Sequence, residues 1–303
     1  MLRIALPNKG RLADDARELF NDAGLDVRVR GDRALTASLG GEFEALFVRS
    51  QDIPEFVADG AADAGITGWD LVCECERPLD TLMDLEFGRC RMVVAAREES
   101  GIESLEDITG LPRVATSFPR ITRRFFEQAG RPVEIVPVSG ATEIAPHLGI
   151  ADIVVDLTST GSTLRVNGLR EVATILQSSA RLITAAPVTR NGTTRAGVPR
   201  PNRGRDRAAR DCALEELVAA LGSVLRARGT RYLMANVPRA ALDRVRAILP
   251  GLNGPTVVDL LNGGTHVAVH AVVAAGGVFR TIAELKALGA EGILVTRIER
   301  LMP

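Results

Sequence analysis

At 303 residues the chain is long enough for two or three domains of the usual roughly 100 to 200 residues each. Hydrophobic residues at 46% and charged residues at 25% exclude a disordered or fibrous chain. With 37 basic and 38 acidic residues the formal net charge is -1, so no global basic field draws the protein to nucleic acid or an anionic membrane, and any anion site must be local.

The opening run Leu2 to Leu6 reads as a strand, and it breaks at Pro7-Asn8-Lys9, too short for a signal-peptide core. No apolar stretch reaches the roughly 18 to 20 residues that span a bilayer, so a cytoplasmic protein is expected. Leu12, Ala16, Leu19, Phe20 and Ala23 then carry a helical spacing. The rhythm continues through strand Ala45 to Val48, helix Ile53 to Asp59 and strand Ala64 to Ile66, which predicts an α/β lobe on a parallel sheet covered on both faces. A second set follows from Cys90: strands Arg91 to Ala96 and Arg113 to Thr116, helix Ile121 to Ala129, strand Val133 to Val138, helix Thr142 to Leu148 and strand Ile153 to Leu157. The long extended segment Leu169 to Ala186 is suited to lead the chain back to the first lobe, which would leave a cleft between the two.

From Val188 to Arg210 scattered glycines, prolines and arginines mark a loop or linker. Helix Asp211 to Arg228 places Leu214, Leu217, Val218, Leu221 and Leu225 on one face. The remainder reads strand Tyr232 to Val237, helix Ala240 to Leu249, strands Thr256 to Leu261 and Val267 to Val273, helix Val278 to Leu288 and strand Gly292 to Ile298. That β-α-β-β-α-β order is ferredoxin-like. The expected domains are thus 1–89 with about 180–210, 90–179, and 211–303.

The stretch most suited to chemistry runs from Asp152 through Asp156, Thr158, Ser159, Thr160, Gly161, Ser162 and Thr163 to Leu164. A buried strand delivers two acidic residues to a hydroxyl- and glycine-rich turn where a helix starts, and backbone N–H groups at such a turn bind phosphate. A carboxylate just before it suits ribose hydroxyls or Mg²⁺, which binds through one or two carboxylates plus substrate phosphates. The same pattern also fits a helix cap in which Ser and Thr satisfy free amides. Lys9 and Arg11 are placed to meet polyphosphate, or are surface charges on a strand-to-helix turn. Ser117 is open between capping a helix and donating to a phosphate. Cys73, Cys75, Cys90 and Cys212 lack the second pair or nearby histidine of a zinc set, and His266 and His270 read as solvent-facing or interface side chains rather than metal ligands.

Glu143, Gly149, Ala151, Val154, Asp156, Leu157, Thr160, Gly161, Thr163 and Leu164 fall at the spacings of the ATP phosphoribosyltransferase signature. The chain also resembles that family at Asn8-Lys9-Gly10-Arg11-Leu12, Asp63-Ala64-Gly65-Ile66-Thr67-Gly68, Phe87-Gly88-Arg89-Cys90-Arg91 and Ala115-Thr116-Ser117-Phe118-Pro119. The resemblance implies two lobes similar to periplasmic binding proteins, with phosphoribosyl pyrophosphate on the Asp156 to Thr163 loop. It places Lys9, Gly10, Arg11, Asp63, Gly65, Thr67, Gly68 and Ser117 beside the nucleotide. Adenine N1 of ATP would attack C1 of the ribose and displace Mg²⁺-bound pyrophosphate, with Lys9 and Arg11 screening charge and Asp156 supporting the ribose hydroxyls. No specific Mg²⁺ ligand follows beyond Asp156.

The extra β-α-β-β-α-β segment resembles the regulatory domain of the family's long form. Histidine as inhibitor, and interconverting dimers and hexamers, are implied. Positions matching the histidine pocket are Asn236, Leu252, Thr256, Ala271 and Gly292, with Asn236 standing where many relatives carry an acidic residue. Other classes compatible with two lobes around a cleft are a solute-binding protein and a noncatalytic histidine sensor.

Overall fold

The computed structural model describes residues 1–29, 34–186, 206–261 and 264–302. Apart from Leu19–Gly24, the described residues up to 186 form one compact unit, and Leu19–Gly24 groups with residues from Asp206 onward in a second.

The first part of the first unit comprises β1 (Leu2–Pro7), α1 (Arg11–Asp22), β2 (Val27–Val29), β3 (Thr36–Leu39), β4 (Phe43–Val48), α2 (Ile53–Ala58), β5 (Ala64–Gly68), α3 (Trp69–Cys75) and β6 (Leu79–Asp84). Next come β7 (Cys90–Arg97), β8 (Arg113–Thr116), α4 (Pro119–Gln128), β9 (Glu134–Pro137), β10 (Ile153–Thr158), α5 (Ser162–Val166) and β11 (Leu169–Ser178), and then β12 (Ala180–Ala185). The strands build a seven-stranded sheet in the order β2-β3-β4-β1-β5-β12-β6 and a five-stranded sheet in the order β11-β7-β10-β8-β9. The chain passes between them twice, from β6 to β7 and from β11 to β12, which makes two lobes joined by two crossovers.

The first sheet is mixed, which corrects the expectation of a parallel one. Only β1 with β4 and β1 with β5 pair in parallel, while β3 and β12 run antiparallel to their neighbours. In the second sheet Met92, Val94, Ala96, Val114, Ile153 and Val155 pack on one face, and Val93, Ala95, Ala115 and Val154 pack with Leu164 and Leu169 on the other. Burial on both faces explains why these strands read as continuous apolar runs instead of alternating ones.

Two local expectations change. The helix expected over Thr142 to Leu148 is a single 3-10 turn, Thr142–Ile144, because Pro146 has no N–H to continue it. The loop expected over Val188 to Arg210 gives way to helix by Asp206, and its residues up to 205 lie outside the described ones.

The second unit contains α6 (Asp206–Arg228), β13 (Thr230–Pro238), α7 (Leu242–Ile248), β14 (Thr256–Asp259), β15 (His266–Ala274), α8 (Val278–Ala287) and β16 (Glu291–Arg297). Helix α6 buries Leu214, Leu217, Leu221 and Val224, so Val224 takes the place expected for Leu225. The sheet order β14-β15-β13-β16, antiparallel throughout, is ferredoxin-like. Leu233, Ala235, Val237, Val267, Val269, Ala271 and Val273 point to the core shared with Val245, Leu249 and Leu285. Tyr232, Met234, Asn236, Ala268 and His270, alternating with them, lie on the sheet's other face.

Candidate active site

The turn after β10 is built from inside outward. The Thr158 hydroxyl is buried and accepts the Gly161 N–H at 2.8 Å, so it braces the turn. Gly161 sits at φ +74, in the left-handed region that favours glycine, and serves as the N-cap of α5. Ser159, Thr160, Ser162 and Thr163 are exposed around it, and the Thr160 and Ser162 hydroxyls lie 2.9 Å apart. No side chain caps α5, and the nearest approach is a long 3.4 Å contact from the Ser162 N–H to Thr160 Oγ1. Of the capping alternative left open by the sequence, Thr158 does satisfy the Gly161 amide, while α5 itself has no side-chain cap. Because α5 has only five residues, its dipole is small, and amides and hydroxyls rather than a long helix must provide the attraction for an anion.

Asp156 is half-buried two residues before the brace, and its carboxylate accepts the Leu157 N–H at 2.7 Å. Burial pushes its pKa up, the charge of Glu143 adds to this, and hydrogen bonds from the Leu157 N–H and the Thr142 hydroxyl oppose it. Thr142 and Glu143 are brought there by a turn that starts at Ala141 in the left-handed region, φ +49. The sequence reading assigned neither residue to the site, although Glu143 stands in the signature spacing.

Asp152 does not join this group. It precedes β10 at the far end, roughly 20 Å from the turn at about 3.3 Å per residue. There its carboxylate accepts the Arg113 N–H at 2.7 Å while its own N–H donates to the Arg113 carbonyl at 2.9 Å. Asp63 repeats the arrangement in the first sheet, accepting the Arg3 N–H at 2.9 Å and donating to the Arg3 carbonyl at 2.8 Å. Both acids close the starts of neighbouring parallel strands. Gly65 and Thr67 lie within β5. A Cβ on Gly65 would meet Ile53 Cγ2 at 2.6 Å, and the fully buried Thr67 hydroxyl donates to the Ser50 carbonyl at 2.8 Å, so packing explains both.

The remaining positions do converge by edge. Lys9, Gly10 and Arg11 follow the C-terminal end of β1, and Gly68 ends the parallel neighbour β5. Lys9 and Arg11 are exposed, and Gly10, at φ +82, accepts the N–H of Ala13 and Asp14 to start α1. Ser117 is exposed at the C-terminal end of β8, the same edge of the second sheet as the Gly161 turn. It does not cap α4, whose N-cap is Phe118. The two lobes touch through the helices that follow these edges: Glu74 at the end of α3 accepts the Arg120 and Ile121 N–H of α4, each at 2.9 Å. Arg120 answers by donating to the carbonyls of Glu74 and Cys75, each at 3.0 Å. At the crossovers the Ser178 hydroxyl donates to the buried Asp70, and the Ser179 hydroxyl to Asp84 at 2.9 Å.

In the second unit Asn236 and Gly292 come together: a Cβ on Gly292, at φ +58, would lie 3.4 Å from Asn236 Nδ2. Thr256 is opposite His270, two strands from β13. Leu252 is in an exposed turn, and Ala271 points into the core on the opposite sheet face from Asn236, so its side chain does not share a pocket with that amide. His270, set aside in the sequence, hydrogen-bonds through Nδ1 to the Tyr232 hydroxyl at 2.7 Å on the Asn236 face.

Two α/β lobes joined by two crossovers, with a hydroxyl-rich glycine turn at the C-terminal edge of the second sheet, define a two-lobed α/β protein. The ATP phosphoribosyltransferase family model matches residues 49–196, and the model for the C-terminal domain of the same family matches residues 227–300. The ATP phosphoribosyltransferase of Gemmatimonas aurantiaca is 68% identical over the full length of both chains, and that of Natronomonas pharaonis is 49% identical, also over both full lengths. Among solved structures, the ATP phosphoribosyl transferase (HisG:HisZ) complex of Thermotoga maritima matches with a TM-score of 0.59 and 27% identity, covering 73% of this chain and 99% of that one. The chain belongs to the ATP phosphoribosyltransferase family and is a pentosyltransferase of histidine biosynthesis.

Proposed function

We propose that the protein condenses ATP with 5-phosphoribosyl 1-pyrophosphate to N1-(5-phosphoribosyl)-ATP and pyrophosphate, with the sugar pyrophosphate held on the turn from Asp156 to Thr163. The carrying observation is the conjunction of an uncapped helix start, exposed Thr160, Ser162 and Thr163, and a half-buried carboxylate beside them. Adenine N1 forms the bond to ribose C1 as the bond from C1 to the pyrophosphate oxygen breaks, and the electron pair leaves with pyrophosphate. N1 already carries a lone pair, so positioning and charge stabilisation supply the catalysis. Asp156 faces the ribose hydroxyls as the ring gains positive charge. Lys9 and Arg11, with Ser117 across the cleft, take the polyphosphates. In this reading residues 1–89 with 180–210 and residues 90–179 act as the two lobes.

Among the described residues no three His, Cys, Asp or Glu gather as a metal cluster. The oxygen donors of Asp156 and Glu143 nonetheless fit Mg²⁺ held mainly by substrate phosphates. When bound, the ion neutralises charge growing on the departing pyrophosphate.

The second unit acts, in the same reading, as a histidine sensor centred on Asn236 and Gly292, and feedback inhibition is transmitted within dimers and hexamers in the cytoplasm. The matched C-terminal family domain supports this. An absorbance assay of phosphoribosyl-ATP formation from ATP, phosphoribosyl pyrophosphate and Mg²⁺ tests the catalytic half. Product in the wild type, abolished by Asp156→Asn, is expected, and no product would sink it.

A further inference from the structure

Gly161 has a neighbour that the proposed chemistry does not use. A Cβ there would come within 2.5 Å of Glu171 Oε1 and 3.6 Å of Arg91 Nη2. The Arg91 guanidinium holds the Glu171 carboxylate through both ends, Nη2 to Oε1 at 2.8 Å and Nη1 to Oε2. The pair is largely withdrawn from solvent, with side-chain exposures of 35% and 27%. Arg91 also lies directly across the β7–β10 ladder from Thr158, whose hydroxyl braces the Gly161 amide. The turn is thus braced by Thr158 on one side and lies against the ion pair on the other.

A carboxylate in contact with an anion-binding turn would oppose its ligand unless its charge were cancelled. We infer that Arg91 is a positioning residue of the phosphate turn that acts through Glu171: the Glu171 carboxylate lies against Gly161, and Arg91 cancels its charge so that the turn accepts the sugar pyrophosphate. This rests on the proposed function, because it needs an anion at that turn.

Charge and scaffold roles give different orders of binding. If the pair is scaffold alone, each single substitution weakens binding and the double is no better. If charge cancellation matters, Arg91→Met leaves an uncancelled carboxylate, Glu171→Gln leaves an uncancelled guanidinium, and Arg91→Met with Glu171→Gln is neutral again. Calorimetric titration of full-length protein with phosphoribosyl pyrophosphate and Mg²⁺, beside steady-state kinetics, reads this directly. Expected is a loss of affinity of about tenfold or more for Arg91→Met, seen in KM more than in kcat. Recovery toward wild type is expected in the double variant and in Arg91→Lys, with equal or tighter binding in Glu171→Gln. A double variant as weak as Arg91→Met, or weakened binding by Glu171→Gln, overturns the inference. If Arg91→Met does not fold, Glu171→Gln decides it by that sign. Wild type that binds ATP but no phosphoribosyl pyrophosphate overturns the proposed function instead.

Discussion

Asp156 carries a cost that its surroundings do not remove. Folding raises its pKa, so relative to the unfolded chain it contributes stability below the ordinary carboxylate value of 3.8 and loses that contribution as pH rises through the folded value. At neutral pH the ionised side chain is therefore a net burden, the mark of a group kept for chemistry. Asp156→Asn is expected to melt at or above the wild-type temperature at pH 7, the gap closing as pH falls toward 4, while turnover drops roughly a hundredfold or more. Thermal scans between pH 4 and 8 beside kinetics check this, and a parallel loss of stability and activity would point to a structural role. Gly161→Ala combines a left-handed backbone with the Glu171 collision and should cost about 1 to 2 kcal/mol or more in a denaturant titration. Both residues were legible because a hydroxyl- and glycine-rich turn after an apolar strand has a chemical meaning of its own. Asp63 and Asp152 were misread because an acid beside a strand looks the same in sequence at whichever end of the sheet it falls, and only the register with Arg3 and Arg113 separates the two.

Long elements declared themselves, since β7, β13 and β15 give several repeats of their pattern and α6 several of its own. The short β2, β3 and β6 and the seven-residue α3 did not, as three to seven residues hold too few periods to distinguish helix from strand. The extended run from Leu169 to Ala186 was readable, and the chain crosses between the two sheets at Ser179, beside the expected boundary near 180, where the Ser179 carbonyl accepts the Trp69 N–H at 3.0 Å. The role of α3 also lies in tertiary contacts: Leu71 and Cys73 pack against the second sheet's core, and Glu74 satisfies two free amides of α4. Replacing Glu74 by Ala should cost about 1 kcal/mol, as loss of a helix cap does, and should speed hydrogen exchange at Arg120 and Ile121. Unchanged exchange at those two amides would remove Glu74 from the contact between the lobes.

At the scale of the whole chain, catalysis and its control are assigned to different units, and the coupling must be reciprocal between their ligands. On the proposed reading Asn236 would offer an amide oxygen to the ammonium of histidine where a carboxylate would offer full charge, so inhibition should persist but require more histidine than in a form with the acid. Asn236→Asp should lower the histidine concentration for half inhibition and Asn236→Leu should raise it, with activity in the absence of histidine unchanged in both. Equal inhibition of all three forms would move the pocket elsewhere. The fold class of this unit was legible from its β-α-β-β-α-β order, whereas the exclusion of Ala271 from the Asn236 face needed the strand register. The central claim, that the Asp156 to Thr163 turn works on phosphoribosyl pyrophosphate, is tested most directly by following phosphoribosyl-ATP formation in wild type and Asp156→Asn under identical Mg²⁺, ATP and sugar pyrophosphate. The account requires turnover in the first and its near loss in a second protein that melts no lower; equal turnover in the two would contradict it.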